Sequence, residues 1–194
     1  MTVIATLDEF KRTVDKVWAG ISTSCAVCTD PDCLGYIWLL EEEEEPLLDA
    51  GVQIVQVNGE SGPLFLDNYE RDAQGRLVVN QRGPRCPWRG PDGRCTIHAS
   101  RPLVCHMYPL GIERDGAGGY DWALHTDCHY VRSRTADQLA ALLDGLRGVI
   151  NNTAPTLIDL IVTAFAKSDS VAAEGTPLNR YLPVAPVEMP KRTR

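Results

Sequence analysis

Two stretches decide how this chain is read: residues 25–33, CAVCTDPDC, and residues 86–109, CPWRGPDGRCTIHASRPLVCHMYP. Between them they hold six of the seven cysteines, and Cys128 is the seventh. Cys25 and Cys28 are separated by two residues, the spacing that lets two thiolates face one ion from a short turn. It suits zinc and an iron–sulfur corner equally. Cys33 follows five residues later, after turn formers Thr29, Asp30, Pro31 and Asp32. The second stretch spreads Cys86, Cys95 and Cys105 among Pro and Gly. An odd number of cysteines rules out complete pairing within the chain. In a reducing compartment, clustered cysteines are more readily ligands than disulfides.

The surrounding composition supports that compartment. The N-terminus becomes charged at Asp8 and shows no long apolar region of the secretory kind. No run approaches the roughly 20 apolar residues of a membrane span. The expectation is a cytoplasmic protein with no membrane partner. The net charge of -7 argues against nucleic acid, whose binding rests on Lys and Arg neutralising phosphates. At 194 residues and 44% hydrophobic, the chain has enough apolar material for a core without covalent staples.

The pattern along the chain predicts an α+β fold: a small β-rich, metal-centred domain with an N-terminal helix and C-terminal helices. Thr6 and Glu9 have capping-box spacing, and Leu7, Phe10, Val14, Val17, Trp18 and Ile21 follow at helical intervals. That helix is expected to run up to Cys25. Residues 35–40 read as a short strand or the start of a buried helix. The Glu41–Glu45 run reads as the solvated face of a short helix stopped at Gly51. Val52–Val57 reads as a strand. Pro63–Tyr69 with Arg76–Gln81, and Leu110–Arg114 with Tyr120–Leu124, read as two hairpins. Thr135 and Gln138 offer a second capping box ahead of a stripe from Leu139 to Ile150. Residues 155–166 are apolar nearly all round, as suits a helix buried in the core or at a homo-oligomer surface. One domain is expected over residues 1–170. The Pro-rich segment 171–194 is expected to be extended or disordered.

Residues 86–109 also resemble a known family. The succession C-P…G-x-C-x-I, then R-P-x-x-C, then Y-P is similar to the YkgJ-type cysteine-cluster family, a zinc- or iron-chelating domain. That family has an earlier cysteine cluster, a later block ending in a Y-P, and a final cysteine. The likeness spans residues 25–128. It implies that Cys25, Cys28, Cys33, Cys86, Cys95, Cys105 and Cys128 are metal ligands. In this chain Leu34 stands where the family often has an eighth cysteine, His98 replaces a tyrosine, and His106 replaces an arginine. Arg101 is expected to hydrogen-bond thiolates or a carbonyl behind the ligands. His98 and His106 are candidates for an extra ligand.

The cofactor expected is an iron–sulfur cluster of the 4Fe-4S kind, with zinc as the alternative. Scattered ligands around an inorganic core fit a cluster somewhat better than a pair of knuckles. Some relatives are flagellin-modifying lysine methylases that look like iron–sulfur proteins. Redox or methyl-transfer-related activity and a non-catalytic structural, accessory or metal-delivery role therefore both stand. No catalytic residue is singled out. The chain has no G-x-G-x-x-G, P-loop, H-E-x-x-H or G-x-S-x-G motif. The protein or small-molecule partner is left open.

Overall fold

The computed structural model describes residues 3–28, 37–57, 62–66, 69–75, 77–79, 88–115, 117, 119–171 and 181–187. It is an α+β protein of short helices and small antiparallel sheets. The chain forms two compact units whose segments alternate along the sequence. One comprises Met1–Ile21, His106–Thr163 and Asn179–Arg194, and the other Ser22–Cys105 and Ala164–Leu178.

In the first unit, helix α1 (Leu7–Val17) opens on the expected capping box. Thr6 Oγ1 accepts the Glu9 amide at 3.3 Å, while Glu9 Oε2 accepts the Thr6 and Ala5 amides at 3.2 and 2.9 Å. These bonds satisfy donors that a helix start otherwise leaves open. Phe10 and Val14 are buried, as is Trp18 at the C-cap. The helix ends there instead of running to Cys25. Gly20 follows with φ 80°, a left-handed conformation that breaks the helix and that glycine adopts without steric cost. Helix α2 (Ile21–Val27) begins anew at the next residue.

The sheet of this unit has the order β6–β7–β8, with β6 at Leu110–Arg114, β7 at Tyr120–His125 and β8 at Tyr181–Pro186. Strands β6 and β7 form the expected hairpin, Leu110 opposite Leu124 and Arg114 opposite Tyr120. Strand β8 lies in the segment read as a tail. It pairs antiparallel with β7, with an irregularity at Trp122/Ala123. Pro183 and Pro186 have no N–H to donate, which suits an edge strand that bonds on one side only. Val184 is buried, and its carbonyl accepts Arg147 Nε at 3.1 Å. Helix α5 (His129–Arg132) follows β7. Helix α6 (Ala136–Asn152) starts on the capping box of Thr135 and Gln138, and α7 spans Pro155–Asp169.

In the second unit, β1 (Trp38–Leu39), β2 (Ile54–Gln56) and β3 (Leu64–Leu66) form a sheet with β3 in the centre. A 3-10 turn (Glu41–Glu43) and helix α3 (Glu44–Asp49) connect β1 to β2. The residues expected as one strand from 63 to 69 divide between β3 and β4 (Tyr69–Arg71). β4 pairs with β5 (Leu77–Val79) across the Gln74-Gly75 turn. Ile37, Leu39, Leu47, Val52, Leu64 and Leu66 form the core, with Trp88, Ile97, Val104 and Cys105 packed against it. Burial of each large aliphatic side chain contributes roughly 1.5–3 kcal/mol. Among the described residues, no helix is long and apolar enough to cross a membrane.

Candidate metal centre

Cys25 sits in the last turn of α2 and Cys28 immediately follows it, its amide donating to the Cys25 carbonyl at 3.3 Å. The pair is therefore carried by a helical turn. Residues three apart on such a turn share one face. A helix end also leaves carbonyls without intrahelical donors and carries partial negative charge. Here a guanidinium meets both conditions. Arg89 Nη2 donates to the carbonyls of Cys25 at 2.8 Å and of Cys28 at 3.0 Å, bridging 64 and 61 residues of sequence.

Arg89 belongs to a tight turn that also positions Cys95. The two form an antiparallel bridge, closed by Gly90 N to Arg94 O at 2.7 Å and Thr96 N to Trp88 O at 2.7 Å. Asp92 Oδ1 accepts the Arg94 amide at 3.0 Å inside the turn. Gly93, with φ 78°, lies directly on the cysteine turn. A Cβ there would come within 3.0 Å of the Ala26 carbonyl oxygen, 3.1 Å of Ala26 Cα and 3.2 Å of Arg89 Nη2. Ala26 is one of the two residues between Cys25 and Cys28. The backbone thus brings the segment carrying Cys95 against the turn carrying Cys25 and Cys28.

Burial pushes the Cys95 thiol up, against the opposing pull of the Ile97 amide and the positive charge of Arg101. Cys105 lies on helix α4 (Leu103–Met107). The start of α4 is held by Glu43. Its Oε1 accepts the Leu103 amide at 2.6 Å and its Oε2 accepts the Leu40 amide at 3.1 Å. Glu43 is only 4% exposed, which corrects the reading of the whole glutamate run as a solvated face. Glu41 does fit that reading, with 81% of its side chain exposed beside Lys167.

Arg101 Nη1 contacts His98 Nε2 and donates to the His98 carbonyl at 3.2 Å. His106, in the first unit, places Nδ1 3.0 Å from both Asp15 carboxylate oxygens, and its carbonyl accepts Trp18 Nε1 at 2.9 Å. Cys128, also in the first unit, is buried at the start of α5. Cys33 and Cys86 lie outside the described residues. None of the five described cysteines is disulfide-bonded. Among the described residues, no group of three or more His, Cys, Asp or Glu side chains is arranged to hold a metal ion.

The sequence reading missed Arg89, Gly93 and Glu43. Arg89 and Gly93 lie inside the quoted stretch 86–109, where the run Trp88-Arg89-Gly90 and the Asp92-Gly93 turn were the available signals. Comparison of the chain with protein-family models, with curated proteins and with solved structures found no match.

Proposed function

We propose that this chain is a metal-binding protein whose cysteines hold a thiolate-bound centre, an iron–sulfur cluster with zinc as the alternative. The observation that carries the reading is the Arg89 clamp, which seats the Cys25–Cys28 turn against the segment of Cys95. Two thiols share one helical turn and a guanidinium lies beside them to offset negative charge, features that favour such a group. Binding would draw Cys95 and Cys105 onto the Cys25–Cys28 turn, since no three such side chains among the described residues are grouped for a metal ion. Cys33, Cys86 and Cys128 are the further thiols that the resemblance to the YkgJ-type family assigns to metal. Bound metal would supply Lewis acidity or electron transfer, and its binding energy would add to folding energy.

Elemental and acid-labile sulfide analysis of anaerobically purified protein tests this. At least one tightly held metal per chain is expected. Iron with matching sulfide indicates the cluster, and zinc without sulfide the alternative. Folded, metal-free protein with all seven thiols reactive would overturn the proposal.

A further inference from the structure

We infer that Cys25 and Cys28 form a reversible dithiol, which closes to an intrachain disulfide on exchange with a small linear disulfide of the oxidised-glutathione class. The inference needs only these two thiols and no further ligand, so it does not depend on the metal-binding reading. Both are unbridged and half-buried. Positions three apart in a helical turn have Cα atoms about 5 Å apart. A disulfide spans Cα separations of roughly 4.4–6.8 Å, so the turn already has the reach. What closure still requires is the approach of the two side chains. Cys28 lies one residue beyond α2, which ends at Val27, so its own backbone is not held to helical dihedrals during that approach.

Two further observations favour exchange at this turn. Arg89 Nη2 donates to the carbonyls of Cys25 and Cys28 together, at 2.8 and 3.0 Å. One group bridging both residues fixes their spacing, so little chain freedom is left to lose when the ring closes. The two residues between the thiols are exposed, Val27 at 63%, and a small disulfide can reach them from solvent. Cys128, by contrast, is buried. In the exchange, one cysteine attacks as thiolate on a sulfur of R–S–S–R and expels RS⁻, giving a mixed disulfide. The other cysteine then attacks the protein sulfur of that bond and expels the second RS⁻. The two protein protons pass to the two leaving thiolates. The pair is oxidised by two electrons, and R–S–S–R is reduced to two RSH. Closure takes both thiols away from any metal, so oxidation and metal binding at this turn exclude one another.

The full-length chain provides the test, treated with EDTA and equilibrated across ratios of reduced to oxidised glutathione. Thiols counted after denaturation should fall by two as the ratio drops, from seven to five. Peptide mapping should place the new bridge at Cys25–Cys28, and excess reduced glutathione should restore both thiols. In Cys25→Ala the exchange should stop at a glutathione mixed disulfide on Cys28, and in Cys28→Ala at one on Cys25. Each should outlive the mixed disulfide of the unaltered chain by about tenfold or more, because the resolving thiol is gone. Mapping of the unaltered chain decides the matter even where the variants fail to fold. A chain that keeps seven thiols at every ratio overturns the inference. So does one that stops at mixed disulfides, or whose bridge maps to Cys25–Cys95 or Cys28–Cys33. Metal content is measured on a separate sample, so failure of the metal-binding reading and failure of this inference are told apart.

Discussion

The carboxylate of Glu43 accepts the Leu103 amide at 2.6 Å, joining the 3-10 turn after β1 to the first residue of helix α4. One buried side chain thus closes two backbone donors, Leu103 N and Leu40 N, 63 residues apart in sequence (103 minus 40). Removing it leaves both donors buried and unpaired. Glu43→Ala is expected to lower stability by about 3 kcal/mol or more, and Glu43→Gln by roughly half as much. Denaturant unfolding measures both. The same loosening of α4 should make Cys105 more reactive toward iodoacetamide in Glu43→Ala.

Gly93 and Gly75 share a left-handed backbone, with φ 78° and 77°, but differ in surroundings. A Cβ on Gly93 meets Ala26, while a Cβ on Gly75 meets nothing within 4 Å. Both alanine variants should lose about 1–2 kcal/mol from backbone strain. Gly93→Ala alone should also lower metal content, because its methyl pushes against the Cys25–Cys28 turn. Equal metal content in the two variants would remove Gly93 from the site.

Cys25→Ser, Cys28→Ser, Cys95→Ser and Cys105→Ser are each expected to lower metal occupancy or soluble yield. Serine is a harder and far less acidic donor than a thiol, so it does not replace a thiolate. Occupancy by elemental analysis is the readout, and intact occupancy in three of the four would show the ligands to lie elsewhere.

Glu9 supplies a pH signature at the other end of the chain. The Ala5 amide and then the Thr6 amide hold its carboxyl below the usual carboxylate range, against opposition from burial, with smaller help from the Thr6 hydroxyl and Arg12. A carboxyl lowered in the folded state stabilises it fully above the unfolded value. That contribution is lost as the pH falls through the lowered folded value. An NMR titration should find Glu9 more acidic than a free glutamate. Glu9→Gln should abolish the acid-side loss of α1 stability that this group contributes.

Features encoded by neighbours along the chain were legible in the sequence. The two capping boxes depend on residues three apart, Thr6 with Glu9 and Thr135 with Gln138, and both are formed. The β6–β7 hairpin follows from two apolar runs around a glycine-rich turn. What local spacing does not encode is the long-range partner. The Glu43 carboxylate belongs to Leu103 and the Arg89 guanidinium to Cys25 and Cys28, each sixty or more residues away. Strand β8 escaped for a related reason. Its prolines speak against a strand when read alone and are tolerated because β7 supplies a partner on one side. At the candidate site, the cysteine spacings singled out the thiols. The residues that orient the cysteine turn carried no motif.

The alternation of the two units along the chain bears on synthesis at the ribosome, where N-terminal segments emerge first. Helix α1 is translated early, yet its apolar residues Phe10 and Val14 belong to a unit whose next segment starts only at His106. Strand β7 in turn waits for β8, the last strand of the sheet to be made. The nascent chain therefore carries the uncovered apolar face of α1 through translation of residues 22–105, followed by an open sheet edge until residues 181–186 emerge. A chaperone that shields apolar helix faces would find its binding site at α1, and stalling translation before β8 should yield an aggregation-prone chain.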